Sequence, residues 1–363
     1  MIKTKKRKTR VIKVGNIAIG GNNPVAVQSM LKTKASDLKN TLIQLKELET
    51  TGCEIVRLAV KDQTDVKALK KIKQKSKIPL VADIHFDWRL ALLAIDNGVD
   101  KIRLNPGNIY KKEQVRQIAR EAKNAGIPIR VGLNSGSLPG IKNIFVNQRP
   151  IAGIMVKAAV NYIKILEKVG FNDIVVSLKT SDIFSTMESY RQMTEICDYP
   201  FHLGVTASGG QQRGIIKSAI AISSLLLEGI GDTIRVSLTE KPAEEVKAAK
   251  VILETLGLRC FSGFEIISCP TCGRCEANLV KIVKDLERKL CAPYSVLRTG
   301  RPLKVAVMGC VVNGPGEAKE ADIGLAFGKR EGLLFKKGRP IKKISHNRCA
   351  DLLLTEIKQF YKA

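Results

Sequence analysis

The chain has 363 residues, of which 44% are hydrophobic and 26% are charged, as in a globular protein of one or two domains with a buried core. No apolar run approaches the roughly 18 residues that a transmembrane helix needs, which argues against a membrane-spanning protein. No apolar segment follows the basic residues 1–10, so we expect no secretory signal and a cytoplasmic location.

The formal net charge of +27 allows three interpretations. Nucleic-acid binding would account for it, but the lysines are spread over many helix-like segments and aromatic residues do not interleave with them. Solvated helix faces of a lysine-rich protein account for it without any partner. A field that steers an anionic substrate and an acidic electron donor towards the protein is the third interpretation.

Short apolar segments alternate with amphipathic ones along most of the chain. Residues 11–19 alternate in polarity before a Gly-Gly-Asn-Asn-Pro turn and predict a hairpin lid. Amphipathic stretches such as 37–51, 64–74 and 112–125 predict helices between the strands. The predicted strands cover residues 26–30, 54–60, 80–86, 101–105, 129–134, 174–179, 202–207 and 233–239.

Eight strands alternating with helices over about 240 residues predict a (β/α)8 TIM-type barrel. A doubly wound open sheet is the alternative, but no Gly-x-Gly-x-x-Gly turn follows the first strand. Residues 140–151 are expected to form an irregular loop, and residues 240–257 the last barrel helix.

Polar side chains occur in every predicted strand, several of them near its carboxyl end, where barrel enzymes build their sites. Four arginines and a lysine converging on one mouth would be costly unless an anion neutralised them, and arginine suits bidentate phosphate recognition. We therefore expect a phosphorylated or diphosphorylated small molecule to bind there. The alternative for any single residue is an ion pair with a nearby aspartate. The polar residues are Gln28, Ser29, Arg57, Asp83, His85, Arg103, Asn105, Arg130, Asn134, Ser177, Lys179, Thr206, Arg235 and Ser237.

The remainder of the chain predicts a second, small α+β domain. We place the division at residue 265, so that residues 1–265 form the substrate-binding barrel and residues 266–363 the second domain. The second domain is expected to contain a helix at 276–290, strands at 303–308 and 323–327, and a terminal helix at 349–360.

Nine cysteines in a large chain without a secretory signal predict reduced thiols, some of them metal ligands. Cys269 and Cys272 are spaced as in a zinc knuckle or an iron–sulfur loop. A zinc ribbon would need a second, separate Cys-x-x-Cys pair, whereas Cys275 only overlaps the first. Cys310 lies in a glycine-rich loop with Glu317 seven residues later. This pattern favours iron–sulfur over zinc, with three thiolates and one carboxylate as ligands.

Several stretches together resemble the 4-hydroxy-3-methylbut-2-en-1-yl diphosphate synthases, the reductive enzymes of the non-mevalonate isoprenoid pathway. They run from the predicted hairpin to near residue 328, and the last of them is highly specific. They are Ile-Gly-Gly at 19–21, Val-Gln-Ser-Met at 27–30, Val-Ala-Asp-Ile-His-Phe at 81–86, Asn-Pro-Gly-Asn-Ile at 105–109, His-Leu-Gly-Val-Thr at 202–206, residues 229–237, the loop at Cys269, and Met-Gly-Cys-Val-Val-Asn-Gly-Pro-Gly-Glu at 308–317.

The resemblance implies a [4Fe-4S] cluster held by Cys269, Cys272, Cys310 and a displaceable Glu317. It implies reductive ring opening and dehydration of 2-C-methyl-D-erythritol 2,4-cyclodiphosphate, with ferredoxin or flavodoxin as electron donor. It also implies a head-to-tail homodimer. By matching motif, one set of residues would hold the diphosphate, and Asp83, His85 and Asn105 would line the reacting end. The diphosphate set is Arg57, Arg103, Arg130, Asn134, Lys179, Arg235 and Ser237.

The chain departs from this family in three places. Ala207 stands where the family usually has a glutamate that is thought to help deliver a proton. Lys32 lies in a Leu-Lys-Thr sequence where the family usually has Thr-Asn-Thr. Cys275 is not usual in the family, so we expect it to be a bystander.

Two other functions remain open from the residues alone. A divergent paralogue that keeps the cluster but has altered activity would account for Ala207. A basic, zinc-containing RNA-binding protein would account for the charge and the Cys-x-x-Cys pair, but not for the arginines at the strand ends. A brown protein would exclude the second of these.

Overall fold

The computed structural model describes residues 5–137, 150–261, 263–290, 302–310, 316 and 318–362. The chain divides into two compact units, Met1–Arg259 and Cys260–Ala363. No helix in the described ranges is long and apolar enough to cross a membrane.

The first unit begins with the predicted hairpin, formed by β1 (Ile12–Val14) and β2 (Ile17–Ile19), which pair antiparallel. The buried residues of the hairpin pack against Ala26, Ile55, Val81 and Val175. Each of these is the first or second residue of a later strand. The hairpin therefore lies at the amino ends of these strands, opposite the end where the polar residues were predicted to converge.

Eight parallel strands confirm the predicted barrel. Their spatial order is β8-β7-β6-β5-β4-β3-β10-β9, and an isolated parallel bridge between Val176 and Phe201 links the two outermost strands. The strands are β3 (Ala26–Met30), β4 (Ile55–Val60), β5 (Leu80–Ile84), β6 (Lys101–Leu104), β7 (Ile129–Asn134), β8 (Ile174–Lys179), β9 (His202–Leu203) and β10 (Thr233–Ile234).

The last two barrel strands are shorter than predicted. Regular pairing in β9 stops at Gly204, whose φ is +156°. A Cβ atom at this position would lie 2.6 Å from both Lys179 Nζ and the carbonyl oxygen of Arg235. The chain therefore leaves the regular ladder where it must approach these two groups closely.

One helix follows each barrel strand. The helices are α1 (Leu38–Thr51), α2 (Gln63–Lys75), α3 (Arg89–Asp96), α4 (Lys112–Asn124), α5 (Pro150–Glu167), α6 (Ile183–Thr194), α7 (Gln211–Leu227) and α8 (Pro242–Thr255). The carboxylates of Asp37, Asp62 and Asp182 cap α1, α2 and α6 by accepting a main-chain hydrogen bond. The loop predicted at 140–151 lies outside the described residues up to 149, and α5 begins at 150.

The second unit, in its described part, is a five-stranded mixed sheet with two helices. The strand order is β11-β12-β13-β14-β15, in which the first three strands are parallel and the last two pairings are antiparallel. The elements are β11 (Phe264–Ser268), α9 (Leu279–Leu290), β12 (Leu303–Met308), β13 (Ile323–Phe327), β14 (Glu331–Lys336), β15 (Arg339–Ser345) and α10 (His346–Lys362).

Three of these strands were not predicted. In β15 the residues are exposed apart from Ile344, so its lysines hide the period-two pattern of a strand. The turn before it has positive φ at Lys337 (+47°) and Gly338 (+73°), as in a type I′ hairpin turn. The Lys-Gly pair is the feature of the sequence from which this hairpin turn could have been predicted.

The two faces of the sheet carry different side chains. Leucines of α9 and α10, including Leu286 and Leu353, pack with Val305 and Leu325 on one side. The second cluster is built largely of small residues and includes the partly buried Cys269. Because β11 and β12 are parallel, the cysteine segments that follow them leave the same edge of the sheet.

Candidate functional site

The polar residues at the strand ends converge as predicted from the sequence. Seven of the eight predicted substrate-binding residues line one cavity at the carboxyl end of the barrel; Asn105 does not. Ser177, Val205 and Thr206 complete the wall. The cavity is lined by Arg57, Arg103, Arg130, Asn134, Ser177, Lys179, Val205, Thr206, Arg235 and Ser237.

Asp83 anchors two of the arginines. Arg103 Nη1 donates to Asp83 Oδ1 at 3.0 Å, and Arg57 Nε lies 3.7 Å from Asp83 Oδ2. Burial by itself would raise the pKa of Asp83, but Arg57 and Arg103 outweigh it and lower the pKa to about 2. Asp83 is therefore a carboxylate at neutral pH, and it acts as an electrostatic anchor rather than as an acid.

Glu245 anchors a third arginine and was missed by the sequence analysis. Its two oxygens accept hydrogen bonds from Arg235 Nε at 3.0 Å and Arg235 Nη2 at 3.1 Å. Ser29 Oγ donates to the same carboxylate at 2.9 Å. Glu245 lies among buried residues of α8 such as Val246 and Ala249. A glutamate on the apolar side of a helix was the signal that could have revealed it.

Lys32, at one of the positions that depart from the family, reaches the same carboxylate. Its Nζ lies 3.3 Å from Glu245 Oε1 and donates to the carbonyl oxygens of Leu238, at 2.6 Å, and Glu240. Lys32 thus ties the segment after β3 to the segment after β10, next to the cavity.

Arg130 and Lys179 have no carboxylate partner within the described part of the barrel. Arg130 is 1% exposed, its Nη1 reaches Gln28 Oε1 only at 3.4 Å, and its Nε has no hydrogen-bond partner among the described residues. Burial and then the neighbouring cations lower the pKa of both side chains well below their ordinary values. A bound anion would reverse this effect because it favours the charged forms.

The charge balance of the cavity therefore calls for an anion. Five cationic side chains line it, and within the described residues Asp83 and Glu245 are the carboxylates paired with them. Lys101, not predicted, lies outside the cavity wall; its Nζ is buried without a hydrogen-bond partner among the described residues, and burial lowers its pKa well below the ordinary value. An anion with several negative charges would supply the missing partners.

His202, also not predicted, positions Lys179. Lys179 Nζ lies 3.1 Å from His202 Nε2, and His202 Nδ1 lies 2.8 Å from Thr233 Oγ1. Burial and then Lys179 lower the pKa of His202 well below its usual value. With Lys179 protonated, the neutral imidazole accepts at Nε2 and carries its hydrogen on Nδ1.

Two other predicted site residues have local roles. The Asn105 side-chain oxygen accepts hydrogen bonds from the Gly107 amide at 3.1 Å and from Ser137 Oγ at 3.3 Å, so it shapes the loop after β6. His85 follows β5 and is not part of the cavity wall; its buried Nδ1 has no hydrogen-bond partner among the described residues.

Ala207, where the resemblance described above implies a glutamate, is exposed and has a φ of +50°. This left-handed conformation is unusual for a residue with a Cβ atom. The strain is therefore already present with alanine, and a longer side chain would add little to it.

The cysteine segments meet in the second unit. The Gly309 amide donates to Cys269 Sγ at 3.3 Å, and the Glu276 amide donates to the Gly309 carbonyl at 2.9 Å. Cys272 is exposed, and Cys310 is half-buried. Glu317, the predicted fourth ligand, lies outside the described residues.

Thiols are the ligands that hold iron–sulfur clusters, so the residues present are of the right chemical kind for one. No three His, Cys, Asp or Glu side chains within the described ranges are gathered closely enough to hold one metal ion. Each thiolate of a [4Fe-4S] cluster binds a different iron, so the ligands stand further apart than those of one zinc ion. The amide-to-sulfur bond at Cys269 is also of the kind that tunes such clusters.

We expect Glu245→Gln to destabilise the first unit by about 3 kcal/mol, because it leaves Arg235 buried without its charged partner. Glu244→Gln is the matched control: Glu244 pairs with Lys247 on the helix surface, and its loss should cost less than about 0.5 kcal/mol. Urea unfolding followed by circular dichroism measures both. Equal losses would show that the Arg235 pair contributes no more than a surface ion pair.

A second prediction concerns pH. Because the folded-state pKa of Asp83 lies below its ordinary value of 3.8, at about 2, its contribution to stability is present above about pH 4 and is lost as the pH falls towards 2. The difference in unfolding free energy between wild type and Asp83→Asn should therefore shrink between pH 6 and pH 3. If this difference in unfolding free energy stays constant over the range, Asp83 is not an ionised partner of Arg57 and Arg103.

Solved structures agree with the barrel fold. Dihydropteroate synthases from Coxiella burnetii and Thermus thermophilus each superpose with a TM-score of 0.50. They are 13% and 14% identical and cover 69% of this chain and 98% and 97% of their own. At this identity the likeness concerns the fold alone.

Curated relatives match along the full length. The protein from Caldanaerobacter subterraneus is 51% identical and covers 100% of this chain and 99% of its own. The one from Clostridium acetobutylicum is 52% identical and covers 96% of this chain and 98% of its own. The protein from Fusobacterium nucleatum is 50% identical and covers 97% of this chain and 96% of its own. All three are named 4-hydroxy-3-methylbut-2-en-1-yl diphosphate synthase (flavodoxin).

Two family models account for most of the chain. The GcpE TIM-barrel domain matches residues 9–250, and the GcpE protein C-terminal domain matches residues 265–359. With these matches and with relatives of about 50% identity over nearly its whole length, the chain belongs to the GcpE family.

Proposed function

We propose that this chain is a 4-hydroxy-3-methylbut-2-en-1-yl diphosphate synthase of isoprenoid biosynthesis. Its substrate is 2-C-methyl-D-erythritol 2,4-cyclodiphosphate, which takes up two electrons and two protons, opens its ring and loses water. The observation that carries the proposal is the cavity in which five cations meet only two described carboxylate partners. A diphosphate supplies the missing negative charge, and the names of the relatives specify the reaction.

The cations have distinct tasks in this proposal. Arg57, Arg103 and Arg235 are held by Asp83 and Glu245, which fixes their planar groups before substrate arrives. Arg130 and Lys179 have no such partner in the described barrel, so their charges are available to the diphosphate. Pre-organised donors gain more from binding because they lose less freedom.

Neutral groups complete the substrate site in the proposal. Asn134 and Ser237 line the cavity between the cations and offer further hydrogen bonds to phosphate oxygens. Asp83, His85 and Asn105 are proposed for the reacting end.

The thiols of Cys269, Cys272 and Cys310, with Glu317, are proposed to hold a [4Fe-4S] cluster. When bound, the cluster supplies electrons and Lewis acidity to the reaction. The Gly309 amide stabilises the thiolate of Cys269, and the absence of a Cβ atom at Gly309 lets the chain pass close to the sulfurs.

One proton must reach the leaving oxygen from a side chain or a water molecule at the reacting end. Ala207 has no acidic group. Asp83 is ionised and held by two arginines, so it has no proton to give. His85 is the remaining candidate among the predicted reacting-end residues, either directly or through water.

The domain roles and partners belong to the same proposal. Residues 1–265 bind the substrate and residues 266–363 carry the cluster. Flavodoxin is the electron donor by analogy with the relatives, whose names print it. The head-to-tail homodimer and the cytoplasmic location predicted from the sequence are also part of the proposal.

A divergent paralogue with altered activity is the second candidate, and Ala207 is the observation that favours it. Such a protein would keep the cationic cavity and the cluster thiols but process a related cyclic or linear diphosphate.

Anaerobic turnover tests the proposal. Iron–sulfur-reconstituted protein with a chemical reductant should convert the cyclodiphosphate to the butenyl diphosphate, and reduced flavodoxin should replace the chemical reductant. Cys272→Ser, which removes one cluster thiol, should abolish product. Cluster-loaded protein that binds the substrate but forms no product would contradict the synthase and favour the paralogue.

Ala207→Glu tests the source of the proton. We expect it to fold normally and to raise kcat by about tenfold or more, because a positioned acid contributes on the order of 10²–10⁴ in rate. Ala207→Gln is the matched control, since it has the same shape but cannot donate the proton. If Ala207→Glu leaves kcat unchanged, another group already supplies that proton.

A further inference from the structure

The three cysteines of the loop after β11 are spaced Cys-x2-Cys-x2-Cys, at positions 269, 272 and 275. In ferredoxins this spacing gives three thiolate ligands to one [4Fe-4S] cluster, and a distant cysteine gives the fourth. Cys310, after the adjacent strand β12, occupies the place of the distant cysteine. The chain thus contains a complete four-thiol set in addition to the family's carboxylate.

The structure places Cys275 beside the other ligands. A methyl group at Gly309 would lie 2.5 Å from Cys275 Sγ and 3.5 Å from Cys269 Sγ. Because both sulfurs are this close to one point, they are no more than about 6 Å apart. Gly309 immediately precedes Cys310, so Cys275 faces the segment that carries the distant ligand.

Main-chain hydrogen bonds hold Cys275 in this position. Its amide donates to the Cys272 carbonyl at 2.9 Å, and the amide of the next residue, Glu276, donates to the Gly309 carbonyl at 2.9 Å. Its thiol donates to the Ala277 carbonyl at 3.1 Å, and the side chain is half-buried. This geometry argues against the expectation that Cys275 is a bystander.

We propose that Cys275 is a fourth thiolate ligand of the cluster and holds the fourth iron when no substrate is bound. The inference rests on the proposed function. The Cys275 thiol releases its proton to solvent when it binds the iron. Thiolate is a softer ligand than carboxylate and suits iron–sulfur clusters better, so in the substrate-free state Cys275 replaces Glu317, the fourth ligand of the proposed function, on this iron.

The test compares how firmly the fourth iron is held. Wild type, Cys275→Ala and Glu317→Ala are reconstituted and then oxidised briefly with ferricyanide under anaerobic conditions. Iron is counted per chain, and electron paramagnetic resonance detects three-iron clusters. Wild type and Glu317→Ala should keep four irons, whereas Cys275→Ala should convert to a three-iron cluster. Cys197→Ala, a half-buried cysteine of the barrel unit, is the matched control and should behave as wild type.

A second measurement needs no variant. Iodoacetamide should modify Cys275 at least tenfold more slowly in cluster-loaded wild type than after the cluster is removed, while the rate at Cys197 stays the same. Trypsin cleaves after Arg274, so Cys275 falls in a separate peptide from Cys269 and Cys272 and its modification can be read directly.

Two results would overturn the inference. One is a Cys275→Ala protein that keeps four irons as long as wild type while Glu317→Ala loses one. The other is equal modification of Cys275 with and without the cluster. A wild-type protein that assembles no cluster at all would contradict the proposed function itself, and this inference with it.

Discussion

The cost of burying positive charge is the constraint on which the barrel depends. Arg57, Arg103 and Arg235 are stable in the mouth because Asp83 and Glu245 are buried with them. The remaining charge on Arg130 and Lys179 is not balanced by a described carboxylate, so the protein without an anion carries an electrostatic penalty. A diphosphate relieves that penalty on binding. The same imbalance therefore makes the mouth selective for a multiply charged ligand.

Glycine residues and a neutral histidine allow the fold to hold these buried cations close together. Gly204 leaves room for Lys179, and a Cβ atom at Gly132 would lie 2.6 Å from Arg103 Nε. His202 accepts from Lys179 without adding charge. Lys32 also binds the Glu245 carboxylate, so it adds a second cation to the anchor of Arg235.

A different constraint governs the second unit, where the proposed cluster needs sulfur ligands from two separate loops. Parallel pairing of β11 with β12 brings both loops to one edge of the sheet. Gly309 then allows the second loop to approach Cys269 and Cys275 closely. From the resemblance to the family, Cys275 was expected to be a bystander. Its contact with the Gly309 segment is a tertiary fact that no spacing rule reports.

The barrel was predictable from the residues alone, because eight apolar segments alternating with helices have few other ways to be buried. Nine of the ten residues of the cavity wall were likewise among the polar residues predicted at the strand ends, since parallel strands bring their carboxyl ends together. The surroundings of Glu245, His202 and Lys101, in contrast, could be found only in the folded protein. Each is a charged or polar residue whose surroundings come from other strands or helices, so its role depends on distances in space. Strand β15 was hidden for a related reason: its exposed lysines obscure the alternation, and only pairing with β14 defines it.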